Sequence, residues 1–275
     1  IASAGHAAAP AAADTQTPVK ASSLSGAILS AQVAQGDNDF DAAIAFYEQA
    51  LGFDPGNTEF QKNLMVALLT KGDFERALPY AERLKAVPEI ERYSRVALAV
   101  NAVNKSDYIQ AEALLKLSLQ SDLDRLISNL MMAWVKQGAT DTDGALKTIA
   151  DLQGPDWYDL FKRIHKALIL DAAGRTDAAE TAYQDALDSP DASAAPEAWL
   201  RLIESYAGLK ARLGKKDMAL GVLDRGDDFA PERPSLKALR KAVSESAAVP
   251  PMIGSPREGV AEVLFGLGTA IRREG

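Results

Sequence analysis

The chain has 275 residues, 47% hydrophobic and 25% charged, with a formal net charge of −8 and a sequence pI near 5.0. It contains no cysteine, which excludes a disulfide framework, a cysteine-bound zinc or iron–sulfur site and a thiol nucleophile; only His6 and His165 remain as imidazole bases or ligands. The acidic balance argues against nucleic acid, which recruits a basic stripe, and no run approaches the ~18 apolar residues of a transmembrane segment.

Residues 1–23 (IASAGHAAAPAAADTQTPVKASS) are rich in Ala, Pro, Ser and Thr. Such a leader has little side-chain surface to bury and is expected to be disordered. Ala2-Ser3-Ala4 suits the small-residue end of an export signal, and a plain flexible linker suits the same residues.

From residue 24 a fixed period takes over. Ala43, Ala77, Ala111, Ala145 and Ala179 follow one another at steps of 34, and Ala219 comes 40 residues later. The flanking text repeats with them: DNDFDAAIAFYEQAL, KGDFERALPYAERL, KSDYIQAEALLKLSL, DTDGALKTIADL, AGRTDAAETAYQDAL and GKKDMALGVLDRGDDFAP. Each unit reads as an amphipathic helix A, a tight turn and an amphipathic helix B. In the second unit helix A is expected over Glu59–Lys71, with Leu64, Leu68 and Leu69 at helical spacing, and helix B over Phe74–Ala86. Between them Gly72 permits a positive φ and Asp73 caps the next helix. Alanine at the repeated site lets helices A and B approach closely. Phe40, Phe74 and Tyr108 open successive B helices and are expected to plug the space between units. Pro55, Pro88, Pro155, Pro190 and Pro231 fall near unit ends, where proline stops a helix.

The period breaks after Pro231. Pro234–Glu245 reads as one more helix, AAVPPMIGSPREG as a loop, and residues 260–275 as a helix carrying Leu264, Leu267 and Ile271, with Gly268 at a close-packing site. The expected organisation is therefore a leader (1–23), six units (24–231), an extra helix and Pro-rich loop (232–259), and helix A of an incomplete further unit (260–275).

The pattern resembles the tetratricopeptide repeat (TPR), a 34-residue helix–turn–helix unit. The family's small site on helix A is matched by Ala31, Ala99, Ala167 and Ala207, with Met65 and Met131 as departures. Its turn glycine is matched by Gly72, Gly138, Gly174 and Gly214 and replaced by Asn38 and Ser106; its helix-B aromatic is kept as Tyr47 and Tyr183 and lost at Ala81 and Leu115. The resemblance implies an all-α, right-handed α-solenoid of stacked TPR units whose A helices line a concave groove. It implies a protein or peptide partner, no catalytic residue, no metal and no cofactor.

Carried onto this chain, the family's inward sites give Lys62 and Asn63 in the second unit and Tyr93 and Val100 in the third. They give Asn129 and Met132 in the fourth, Phe161 and His165 in the fifth, and Arg201 and Glu204 in the sixth. This mixed lining suits an extended peptide or a partner helix. The Lys/Arg/Asn clamp of chaperone-binding family members is absent, since Ile28, Leu29 and Gln32, then Val96, Ala97 and Val100, stand at its sites. His165 has no carboxylate placed by sequence to orient it, so a packing role competes with a binding role. Trp134 is expected in the core, and Trp157 and Trp199 as packing anchors. The strings GLGTAIRREG and GVLDRGDD follow no strand, which rules against a phosphate loop. Asp37, Asp39 and Asp41 lack the remaining ligands of a calcium loop.

The leader, the segment SLSGAILSAQ and the C-terminal GSPREGVAEVLFGLGTAIRREG also resemble exported cell-envelope TPR proteins of alphaproteobacteria. That resemblance implies a non-enzymatic, protein-binding scaffold in the periplasm. The alternatives are the substrate-recognising array of a larger enzyme, such as a glycosyltransferase, and a cytoplasmic assembly chaperone.

Overall fold

The computed structural model describes residues 20–116, 121–189 and 195–272; most of the leader, with His6, lies outside them, as do Pro190 and Gly275. Among the described residues every regular element is an α-helix. Five pairs and two single helices follow the first pair in chain order: α1 (Leu24–Gly36) and α2 (Phe40–Phe53), α3 (Thr58–Lys71) and α4 (Phe74–Leu84), α5 (Glu91–Asn104) and α6 (Tyr108–Leu115), α7 (Asp122–Gly138) and α8 (Thr142–Asp151), α9 (Tyr158–Ala172) and α10 (Thr176–Leu187), α11 (Pro196–Arg212) and α12 (Lys216–Phe229), then α13 (Pro234–Ser244) and α14 (Pro256–Arg272). This is the all-α solenoid architecture that the period implies. The helices fall into two compact units, parted between Ile90 and Glu91.

One turn chemistry closes all six pairs. Asn38, Gly72, Ser106, Thr140, Gly174 and Gly214 take left-handed φ values of 60°, 87°, 58°, 64°, 69° and 72°. The N–H of the following residue then bonds a carbonyl five residues back, as in Asp39 to Ala34 at 2.8 Å and Lys215 to Lys210 at 2.9 Å. This satisfies a carbonyl at the end of helix A that has no partner within the helix. Asp39, Asp107 and Asp141 next cap helix B, accepting from the N–H of Ala42, Gln110 and Gly144 at 3.0, 3.0 and 2.8 Å. Asp73 instead accepts from Arg76 Nη1 at 2.7 Å.

The turns correct the register of the fourth unit. Its left-handed residue is Thr140, not Gly138, which is the last helical residue of α7. Counting back from Ala145 by the true period puts Ala133, not Met131, at the small site. Gly138 has another use: a methyl group there would come within 2.3 Å of Tyr108 Cε1, so Tyr108 does plug the space between its own unit and the next.

The seam between paired helices is where the alanines are spent. Ala43, Ala77, Ala111, Ala145, Ala179 and Ala219 are all 0% exposed, and so are Ala31, Met65, Ala99, Ala133, Ala167 and Ala207 on the facing helices. Close packing at such sites leaves no room for an added methyl group. Tyr47 and Tyr183 brace their pairs identically: each hydroxyl donates to a side chain twelve residues back, Gln35 Oε1 at 2.8 Å and Asp171 Oδ2 at 3.1 Å.

The C-terminal region departs from expectation in two ways. First, α14 begins at Pro256 instead of residue 260. Ser255 Oγ accepts from Glu258 N–H at 3.2 Å while Glu258 Oε2 accepts from Gly254 N–H at 2.8 Å, with Pro256 as the first helical residue. That is a variant of the capping box, with Glu258 reaching one residue beyond the cap, and with proline where its missing N–H costs nothing. Second, α14 does not sit as the opening helix of a further unit. It packs on α5, α7, α9 and α11, the A helices of the second compact unit, while α13 packs on α11 and α12. The physical reason is the apolar face of α14, formed by Val260, Val263 and Leu267, each 2% exposed or less. That face is taken out of water against the A helices.

Candidate functional site

The inward face of the second compact unit is built from corresponding sites on successive A helices. Corrected for register, α7 presents Trp134 there, α9 presents Phe161 and His165, and α11 presents Arg201, Ser205 and Gly208. The segment from Val249 to Leu267 lies along this row. Gly208 faces Val249, with room for ordinary contact only, since a methyl group would sit 3.6 Å from Val249 Cγ1. Ser205 Oγ lies 3.0 Å from Met252 Sδ. A methyl group on Gly259 would come within 2.0 Å of Trp134 Cδ2, so the backbone of α14 lies directly on the indole face. Gly266, two turns on, approaches Phe161.

The polar anchor is Arg201. Its Nε donates to Glu262 Oε1 at 2.6 Å and its Nη2 to Glu262 Oε2 at 2.5 Å, a two-pronged contact. The guanidinium also lies 5.0 Å from the centre of the Phe265 ring. Burial works against the charge of Arg201, but Glu262 outweighs it and the pKa is raised. Glu262 itself is 6% exposed, so its charge is balanced chiefly by this one partner.

His165 is 2% exposed, and its Nδ1 accepts from Trp134 Nε1 at 3.1 Å. An indole N–H only donates, so Nδ1 carries no proton in this pair. Burial pushes the imidazole pKa down to about 3, so the ring is neutral at ordinary pH. It orients Trp134 beneath α14 and is not exposed to a partner.

The remaining sequence candidates are placed as follows. Lys62 and Asn63 lie on α3 in the first compact unit, half-buried, with Lys62 Nζ on Glu59 at 2.6 Å. Tyr93 is exposed and its hydroxyl accepts from Arg92 Nη2 at 2.7 Å; Val100 is half-buried on the same helix. Asn129 and Met132 do not join the row. They line a cleft of about 540 Å³ with Arg125, Glu112 and Thr148, on the side of α7 that faces α6 and α8. The two-residue register error in the fourth unit put them inward at the site of Trp134, which is buried as expected, but beneath α14. Phe161 is 5% exposed and Glu204 6%. Glu204 is taken up by Arg233 Nε at 2.9 Å and by Ser235, at the start of α13. Among the described residues, no group of three or more His, Asp or Glu is placed to hold a metal ion. No helix among them is long and apolar enough to cross a membrane.

Sequence reasoning missed Trp134, Gly259, Glu262 and Gly266 as parts of one site. The signals were present: a strict 34-residue count from Ala145, the Ser255–Glu258 capping box, and glycines seven residues apart on one helix face. Gly268, expected at a close contact, is exposed with nothing near it.

Two family models, both described as tetratricopeptide repeat, match this chain, at residues 34–99 and 165–234. The helix pairs in these stretches are thus repeats of that type, a fold that serves chiefly as a protein-interaction scaffold. No curated protein matches the chain in sequence. Among solved structures, a thermophilic TPR protein of Thermus thermophilus is 17% identical, covering 81% of this chain and 100% of that one, with a TM-score of 0.35.

Proposed function

We propose that this protein is a non-enzymatic scaffold of the bacterial cell envelope that holds peptide or helical segments of partner proteins on the inward face of its A helices. The observation that carries the reading is the seating of α14. The face formed by Trp134, Phe161 and Arg201 accommodates an amphipathic helix, by backbone approach and one charged anchor, which is the helix-in-groove mode of recognition. Support for the envelope comes from the small residues Ala2-Ser3-Ala4 in an Ala/Pro-rich leader.

The test is site-specific photo-crosslinking in cells of the source bacterium, followed by fractionation. A photoreactive residue replaces exposed Tyr93 on α5, with Ile109 on α6, 87% exposed, as the control. Crosslinked partners are expected from residue 93 and not from residue 109, in the periplasmic fraction. Equal crosslinking from both would end the inward-face reading, and recovery in the cytosol would end the envelope reading.

A further inference from the structure

The contact between α14 and the A helices has the form of a ligand in its site. We propose that the face of α5, α7, α9 and α11 is a docking site for a partner helix of stated pattern, and that α14 is its resident competitor. The partner carries glycine over Trp134, a carboxylate three residues later for Arg201, an apolar β-branched residue beside it, and a small residue, glycine or alanine, seven residues after the first glycine. This rests on the scaffold reading above and names its partner chemistry and its regulation.

Three observations carry the inference. The helix stands outside the repeat series and is tethered by residues 245–255, which hold Pro250 and Pro251 and form no regular element. Its contacts are one-sided: Gly259, Val260, Glu262, Val263, Gly266 and Leu267 are buried, whereas Arg257, Ala261 and Phe265 remain exposed. And its helicity is held by the site. Gly259, Gly266 and Gly268 each cost about 1 kcal/mol against alanine in a helix, and only Gly259 is required by a close approach, since a methyl group on Gly266 would make ordinary contact with Phe161. A helix that keeps the inward pattern but has better helix formers outside it binds the site more tightly than the α14 sequence does, and so offsets part of the advantage that the tether gives α14. The bidentate Arg201–Glu262 contact sets the register, because a shift by one residue removes the carboxylate from the guanidinium.

The test uses the full chain and a fluorescein-labelled synthetic peptide of residues 254–272, read by anisotropy. Gly259→Leu in the chain leaves its side chain no room over Trp134 and ejects α14. The peptide is expected to bind that variant at least tenfold tighter than the unaltered chain. Arg201→Glu in the same variant should abolish binding, and a peptide with Glu262→Arg should restore it. A Gly268→Ala peptide should bind about fivefold tighter, since that residue touches nothing. Hydrogen exchange of the unaltered chain is the independent arm: amides of α14 should exchange at least tenfold faster than those of α7. Equal protection of α14 and α7, equal affinity for the two chains, or indifference to Arg201→Glu overturns the proposal. So does a dimer by light scattering that dissociates on Gly259→Leu, which would make a second copy the occupant. Peptide exchange without crosslinks from residue 93 sinks the scaffold reading and leaves the site standing; crosslinks without exchange do the reverse.

Discussion

The two compact units are built by one rule and finished differently. Both close their helix pairs through a left-handed turn residue and seat fully buried small residues or Met65 along the seam. In the first unit, α1 leaves Leu29 and Val33 62% and 64% exposed beside Phe46 and Asp37. In the second, Trp134, Phe161 and His165 are no more than 5% exposed, with α14 across the row. The repeat therefore specifies the seam and leaves the inward face of the A helices free to vary. Where that face carries large aromatic rings, leaving it in water is costly, and the chain supplies its own cover.

The sharpest way to break this contrast is at Trp134. Replacement by alanine removes the ring that both α14 and His165 contact, and is expected to cost about 3–5 kcal/mol in chemical denaturation. Protection should be lost first in α14. Next in size is the charged anchor. Arg201→Ala strands Glu262 in a site where it is 6% exposed, at an expected cost of about 2 kcal/mol because the guanidinium itself is partly solvated. A paired Arg201→Met, Glu262→Met change should recover most of that loss, which separates the cost of an orphaned charge from the worth of the pair.

His165 gives a pH-dependent version of the same test. Its pKa falls from 6.5 unfolded to about 3 folded, so the unfolded chain binds the extra proton between these values. Stability from this group is fully present above about pH 6.5 and is lost as pH falls toward about 3, by at most about 1.4 kcal/mol per pH unit. His165→Gln keeps an acceptor for Trp134 Nε1 and does not titrate. The melting temperature of this variant should decline less steeply over that window; an unchanged slope would mean that the imidazole is not buried as described.

Much of the fold was legible because the period is carried by small residues whose role is steric. Ala43 through Ala179 can hardly be replaced without moving a helix, so their spacing survives in the text. The turns were less legible. Three of the six left-handed positions are Asn38, Ser106 and Thr140, and a nearby glycine, Gly138, drew the fourth unit out of register by two residues. That shift was enough to exchange Trp134 for Asn129 and Met132 on the face. The docking of α14 was hidden for a different reason. Its pattern of apolar residues fits an A helix of any repeat, and only the glycine at 259 distinguishes a helix that lies on a ring from one that packs on alanines.

The smallest expected effect lies in the first unit and bears most directly on the contrast. If the exposed face of α1 that carries Leu29 and Val33 is open, Leu29→Ser and Val33→Ser exchange one solvated side chain for another, and each should alter stability by no more than about 0.5 kcal/mol. Both sites keep their helix, since Ser23 caps α1 through the N–H of Gly26 and neither residue contributes to the Ala31 seam. The same kind of change at Val263 of α14, which is 0% exposed, should cost several times more, because a serine hydroxyl there would be buried without an assured partner. Measured side by side by urea unfolding, the two substitutions in α1 should superimpose on the parent curve while Val263→Ser shifts clearly to lower denaturant. A loss above about 1 kcal/mol from Leu29→Ser would mean that α1 is covered in solution, and the two units would then differ in what covers them instead of in whether they are covered.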